Sequence, residues 1–162
     1  VERNQFSRDA SDIFYDEQTG KEINSPRATV FRWRGDFQQD FATRVKWSTQ
    51  QYAEGNHYAE LIVDGNKGKD HLVIKSRSGK KIVLDASGST DPDGDLLTYQ
   101  WMIYAESGTY EGVVRIMNPD KAKCTILIPA DASGKTIQVI LRAKDQRPIS
   151  LTTYKRIVLQ VN

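Results

Sequence analysis

The sequence predicts a mainly β chain, an antiparallel β-sandwich preceded by an N-terminal irregular and helical segment. Three observations predict it. From about residue 58 apolar residues recur with a period of two. Clusters rich in Gly, Asp, Asn, Ser and Pro cut that pattern into short pieces. Before it, Phe37, Phe41 and Val45 recur every four residues, which is the helical period.

The N-terminal region runs from residue 1 to about 55. "FSRDASDIFYDEQTGKEINSP" is polar and irregular, with Gly20 at a bend in "DEQTGKE". In "DFQQDFATRVKWSTQQYA" a helix is expected over about 36–53. Asp36 is placed as its N-cap, Gln39 as the capping-box partner and Gly55 as its end. One helix cannot bury an apolar stripe by itself. Trp33, Phe37, Phe41, Val45 and Trp47 are therefore expected to pack on a domain of the same protein or on another chain.

The second region, 56–162, supplies the strands. They are "AELIVDG", "HLVIKS", "KIVLDAS", "LTYQWMIY", "VVRIM", "KCTILIP", "TIQVILRAKD" and "YKRIVLQV". Leu97, Tyr99, Trp101 and Ile103 share one face of their strand, and Thr98, Gln100, Met102 and Tyr104 the other. Ile137, Val139, Leu141 and Ala143 form a similar inner face, as do Ile157, Leu159 and Val161. Trp101 falls in the core register of a sandwich. Cys124 lies inward with Ile126 and Ile128, as a small core residue.

Composition narrows the function classes. The chain has 162 residues, 38% hydrophobic and 27% charged, which is a globular composition. A net charge of +2 with scattered basic residues gives no nucleic-acid footprint. No apolar run reaches the roughly 20 residues of a membrane span. One cysteine allows no intrachain disulfide. His57 and His71 have no ligand-spaced partner, and no nucleophile elbow, phosphate loop or zinc spacing occurs. The chain starts at Val1 without an initiator methionine or a signal-like segment, which reads as a fragment or a processed product.

"STDPDGD" places Asp91, Asp93 and Asp95 within five residues. Calcium prefers such oxygen ligands, and the three aspartates are the candidate metal site. An EF-hand is excluded, since Leu96 and Met102 stand where its glycine and its bidentate glutamate belong. A turn accounts for the same residues: Pro92 presets its φ, Gly94 supplies a positive φ, and the aspartates accept backbone N–H groups. Three carboxylates in one turn do not make a glycosidase pair. For ligand binding, Tyr104 on the outward face and Tyr110 in "AESGTYEG" are the sugar-platform candidates, with Glu106 and Glu111 as polar neighbours. No catalytic residue is expected.

"VLDASGSTDPDGDLLTYQW" resembles immunoglobulin-like PKD modules, which open with a strand, a Gly/Ser turn, "DPDGD" and a strand carrying an inward Trp. With "RWRGDFQQDFATRVKW", "YAEGNH", "QWMIYAESGTYEG" and "IPADASGKTIQVILRAKD" the chain resembles, from about Phe6 to its end, the C-terminal part of bacterial Sde182-type cellulose-binding proteins. Full-length members of that family are similar to nucleoside hydrolases in their N-terminal domain. The resemblance implies an Ig-like sandwich at 56–162, with residues 1–55 the tail of, or connector to, an upstream hydrolase-like domain. It implies a non-catalytic, secreted, periplasmic or surface module that binds cellulose or a related plant polysaccharide and needs no cofactor. The alternative is a structural module that packs on the hydrolase-like domain or mediates a homodimer. The calcium motif of nucleoside hydrolases leads from a strand into a helix, whereas "DPDGD" leads into the β-patterned "LLTYQWMIY", so its metal role does not transfer to Asp91, Asp93 or Asp95.

Overall fold

The computed structural model describes residues 13–16, 20–25 and 27–162. Among the described residues nine strands and two α-helices follow one another, and two of the strands lie ahead of the sandwich. Strands β1 (Ile13–Asp16) and β2 (Lys21–Asn24) pair as an antiparallel hairpin. Gly20, at φ +65°, supplies the left-handed bend between them. This hairpin replaces the irregular chain expected there; four pairs of residues alternate across it, a pattern too short to stand out in the sequence. Residues 1–12, where the family likeness was expected to begin, lie outside the described residues.

Helix α1 is one turn (Ala28–Phe31) and α2 spans Arg34–Trp47. α2 starts earlier and stops earlier than the sequence suggested. Trp33 stands at its N-cap without a side-chain cap. Asp36 lies inside the first turn, where a carboxylate still complements the helix dipole, but its oxygens reach across to the sandwich. At the other end, the Ser48 and Thr49 hydroxyls donate to the carbonyls of Val45 and Lys46 and finish the helix. Gly55 instead follows a separate 3-10 turn, Tyr52–Glu54, and is extended. Its missing side chain lets the Trp47 ring lie where a Cβ would be 3.2 Å from it.

The sandwich is built from β3 (Leu72–Ser76), β4 (Lys81–Asp85), β5 (Thr98–Ile103), β6 (Arg115–Met117), β7 (Lys123–Leu127), β8 (Thr136–Lys144) and β9 (Thr152–Val161). One sheet has the order β3-β9-β8-β5, the other β4-β7-β6. Neighbours are antiparallel except β3, which runs parallel to β9. The inner faces are those given by the period-two pattern. Ile137, Val139, Leu141, Ala143, Ile157, Leu159 and Val161 meet Leu84, Cys124 and Ile126 from the facing sheet.

Trp101 is buried and links the two sheets. Its indole N–H donates to the Lys121 carbonyl at 2.8 Å and its amide to the Pro119 carbonyl at 2.7 Å, both on the β6–β7 turn. A buried Trp needs such an acceptor for its one polar atom.

"AELIVDG" does not form a strand. It makes isolated bridges, Glu60 with Thr90 and Val63 with Asn66. Asp64 and Gly65, both at positive φ, turn the chain back on itself, so Ala59, Leu61 and Val63 plug the core as a loop. The turn is pinned from inside. Lys155 points inward, fully buried, and its ammonium donates to the Asn66 side-chain oxygen and the Gly68 carbonyl, each at 2.7 Å.

Candidate functional site: an aromatic groove between helix and sheet

The outer face of the four-stranded sheet is not bare. α2 lies across it, and the face it presents is polar. Asp36 and Thr43 are buried, with Gln39, Asp40 and Trp47 half-buried on the same side. The apolar stripe points away from the sheet: Phe37 is 49% exposed, Phe41 70% and Val45 53%. The helical period was read correctly, but the buried stripe is the polar one. The reason is the sheet beneath, whose outer face offers Arg142 and Tyr154, groups that require charged or hydrogen-bonding partners.

Two clamps hold this polar contact. The Asp36 carboxylate accepts from the Arg142 guanidinium on β8 and from the Tyr154 hydroxyl on β9, which the antiparallel register sets side by side. One helical turn on, the Asp40 carboxylate accepts from the Tyr58 hydroxyl and, at 2.7 Å, from Arg44 Nε. Arg44 also donates to the Tyr58 oxygen at 2.8 Å. Burial pushes the Tyr154 phenol far above its usual range, and the Asp36 negative charge adds to it. For Asp40, burial pulls upward, but the bonds from Tyr58 and Arg44 outweigh it and hold the carboxyl below its usual value.

Between the clamps lies a groove of about 410 Å³, open on one side. Trp33, Phe37, Tyr58 and Tyr154 wall it, Ile140 and Thr152 form its floor, and Asp36 and Asp40 flank the helical side. The volume is within the roughly 300–1,000 Å³ of small-ligand sites. The polar heads of Tyr58, Tyr154 and both aspartates are engaged with one another or with arginines. What the groove offers a ligand is therefore mainly ring faces and edges.

Trp33 organises the wall. Its ring meets Tyr154 edge-on at 5.3 Å and Tyr104 at 6.3 Å, giving an aromatic row Tyr104–Trp33–Tyr154 along the sheet. Arg32 lies 5.8 Å from the Tyr104 ring centre and pairs with Glu106 at 2.9 Å. Tyr104 and Glu106, expected from the sequence as sugar contacts, are thus brought together behind Trp33. Tyr110 packs against the hydrophobic core cluster and donates its hydroxyl to Asp131 at 2.8 Å. Gly112 leaves it room, since a Cβ there would lie 2.4 Å from the Tyr110 oxygen. Glu111 is exposed beside it. The structure does not gather these four side chains at one point.

No groove residue was expected as a ligand site: Trp33 and Phe37 were expected in interdomain packing, and Asp36, Asp40, Tyr58, Ile140, Thr152 and Tyr154 carried no ligand role. The signal available was Tyr154 on the outward parity of β9 and two aspartates one helical turn apart. Neither shows which helix lies on which sheet.

At the other end of α2, Trp47 donates its indole N–H to the Asn56 carbonyl at 2.8 Å and stacks near His57. A smaller hollow of about 290 Å³ opens there beside Tyr52 and Gln51. His57 leads to the acidic turn. Its Nδ1 lies 2.7 Å from Asp93 Oδ1, and its amide donates to Asp93 Oδ2 at 2.7 Å. Arg147 donates to Asp95 and to the Gly55 carbonyl. Ligand atoms of Asp91, Asp93 and Asp95 lie within 4.8 Å of one another, a spacing that an ion could use. Two of the three already have side-chain partners, Asp93 in His57 and Arg147, and Asp95 in Arg147. Burial pulls Asp93 upward, yet the His57 bonds and the Arg147 charge hold it below its usual range. Asp91, without such a partner, is raised by burial. Turn geometry accounts for the remaining contacts: Asp91 Oδ1 accepts from the Asp93 amide at 2.9 Å, and Gly94 sits at φ +80°. The donor set thus ties the post-helix linker to the sandwich.

Comparison with known proteins places this architecture. Residues 81–161 match the family described as "Cellulose-binding protein Sde0182, C-terminal domain". A solved structure of a nucleoside hydrolase-related hypothetical protein from Saccharophagus degradans, associated with carbohydrate metabolism, superposes with a TM-score of 0.79 at 33% identity. The likeness covers 86% of this chain and 33% of that one, so this chain spans about a third of its length. A PKD domain from KIAA 1837 protein (TM-score 0.41, 17% identity, 59% of this chain and 83% of that one) is more distant. So is human CDH23 EC21-23 (TM-score 0.46, 15% identity, 65% of this chain and 34% of that one). No curated protein matches the chain. Among the described residues no helix is long and apolar enough to cross a membrane.

Proposed function

From the premise that the chain belongs to the family of Sde0182-type cellulose-binding protein C-terminal domains, we propose that it is a non-catalytic domain that holds a polysaccharide chain in the groove between α2 and the sheet. One observation carries the reading: four aromatic side chains, Trp33, Phe37, Tyr58 and Tyr154, ring an open groove of about 410 Å³. Pyranose rings present apolar C–H faces that stack on such surfaces, and aromatic contact area contributes most of the affinity at sites of this kind. The ligand is cellulose or a related plant glucan. The domain works outside the bacterial cytoplasm, in the periplasm or at the surface, as the accessory part of a larger protein of carbohydrate metabolism. Contact is by stacking with few direct hydrogen bonds, so affinity for one module is modest.

Sedimentation with microcrystalline cellulose, together with calorimetric titration of cellohexaose, tests this. The wild-type chain is retained, and Trp33→Ala and Tyr58→Ala each lose retention while keeping the far-ultraviolet β signal. If wild type is not retained and gives no heat with any glucan, the reading fails. If Tyr104→Ala/Tyr110→Ala abolishes retention and Trp33→Ala does not, the contact lies at Tyr104, Glu106, Tyr110 and Glu111 instead.

A further inference from the structure

We propose that the exposed stripe of α2, Phe41 and Val45 with the groove-wall residue Phe37 at its edge, is the docking surface for a neighbouring domain of the same polypeptide, and this stands even if the groove binds no glucan. α2 meets the sandwich through Asp36, Gln39, Asp40 and Thr43, so its apolar side has no partner within the described residues. Val30 on α1 is 43% exposed as well. Three large apolar side chains at i, i+4 and i+8 on one helix face form a contiguous patch rather than scattered exposure.

Two arguments select the occupant. The first is area. An aromatic side chain buries about 150–250 Å² at most, so a stripe already half covered offers roughly 300–400 Å². A stable interface between separate molecules needs about 800 Å² from each partner. A tethered domain does not, because the linker supplies an effective concentration of order millimolar. The patch is too small to hold a second copy of this chain and sufficient for a domain already attached to it. The second is length. The likeness to the Saccharophagus degradans relative covers 86% of this chain, and any contiguous stretch of that extent takes in α2 together with most strands of the sandwich. Two thirds of that relative lies beyond the shared part, so the helix belongs to a unit that occurs joined to a larger body.

The test labels one position. Cys124 is buried, with burial pushing its thiol up to about 12, and is silent to a maleimide in the native state. Phe41→Cys then reports coverage of the stripe. It is introduced into the 162-residue chain and into the full polypeptide that the gene encodes. The expected result is rapid labelling in the shorter chain, which runs as a monomer in light scattering. In the longer polypeptide labelling is at least about tenfold slower, as local opening must precede reaction. Phe41→Asp/Val45→Asp in the longer polypeptide raises amide exchange of α2 and leaves cellulose retention as in wild type, since neither residue lines the groove. Equal labelling in the two contexts overturns the proposal. So does slow labelling in the shorter chain with a dimeric mass, which assigns the stripe to a second copy. A gene that encodes no further domain also overturns it. Loss of cellulose retention by Trp33→Ala bears only on the groove.

Discussion

Replacing Asp36 by Ala tests how the helix is held on the sheet. Asp36 is 6% exposed and accepts from both Arg142 and Tyr154. Its removal leaves a phenol and a guanidinium facing each other across the helix–sheet contact. Breaking a fully buried pair costs about 3–5 kcal/mol. The Arg142 side chain is 28% exposed and regains water, so the cost is discounted to about 2–3 kcal/mol. At about 1.4 kcal/mol per decade this is roughly a 30- to 150-fold rise in the helix-detachment constant. The sandwich core shares none of these contacts, and the loss is local rather than global. Native-state amide exchange reads it: protection of α2 amides falls by that factor, while protection of Ile137–Ala143 on β8 is unchanged. Under the proposed function cellulose retention falls with it, because the groove loses its helical wall. A matched variant, Asp36→Leu/Arg142→Met/Tyr154→Phe, removes every partner together and restores most of the protection. If α2 and β8 lose protection in parallel, or if neither changes, the clamp does not hold the helix and the reasoning is wrong.

Other outcomes follow from the same contacts. Trp101→Ala removes the link between the sheets and lowers unfolding free energy by about 3–5 kcal/mol in urea titration; a loss below about 1 kcal/mol contradicts its core role. The Lys123 hydrogen bond, helped by the Ser87 bonds, holds the Asp85 carboxyl at about 2. A depressed acid stabilises the fold above its unfolded value near 3.8, and that contribution is lost as pH falls from there to about 2. Lys123→Ala should flatten the acid limb of the melting-temperature profile over that interval, and an unchanged limb would show that the pair is screened. Millimolar calcium should leave the wild-type melting temperature unchanged, because His57 and Arg147 already serve Asp93 and Asp95, whereas Arg147→Ala should introduce a calcium-dependent rise. A rise in wild type at that concentration would assign the three aspartates to the ion.

Much of the sandwich was legible in the sequence because a strand's period of two is local. Seven of the eight strand segments form, and Ile137, Val139, Leu141, Ala143, Ile157, Leu159 and Val161 point inward as their parity requires. Trp101 and Cys124 followed from the same parity. "AELIVDG" had the pattern and not the partner: Asp64 and Gly65 fold it back, and the inward Lys155 that fixes this turn lies far along the chain. The helix shows the same limit in another form. Its period of four fixed that Phe37, Phe41 and Val45 share a face, and hydrophobicity suggested that this face is buried. Which face is buried was decided by Arg142 and Tyr154, brought side by side only by the β8–β9 register. A buried charge must find its partner, and that requirement outweighed the burial of three apolar side chains. The groove exists for the same reason. Its walls come from α2, Tyr58, β8 and β9, segments whose sequence patterns are each ordinary. The sequence by itself determined the strands, their inner faces and the family likeness, since these rest on neighbours along the chain. The tertiary structure alone decided where the aromatic rings converge and which apolar stripe stays uncovered, since both depend on how a helix lies on a sheet.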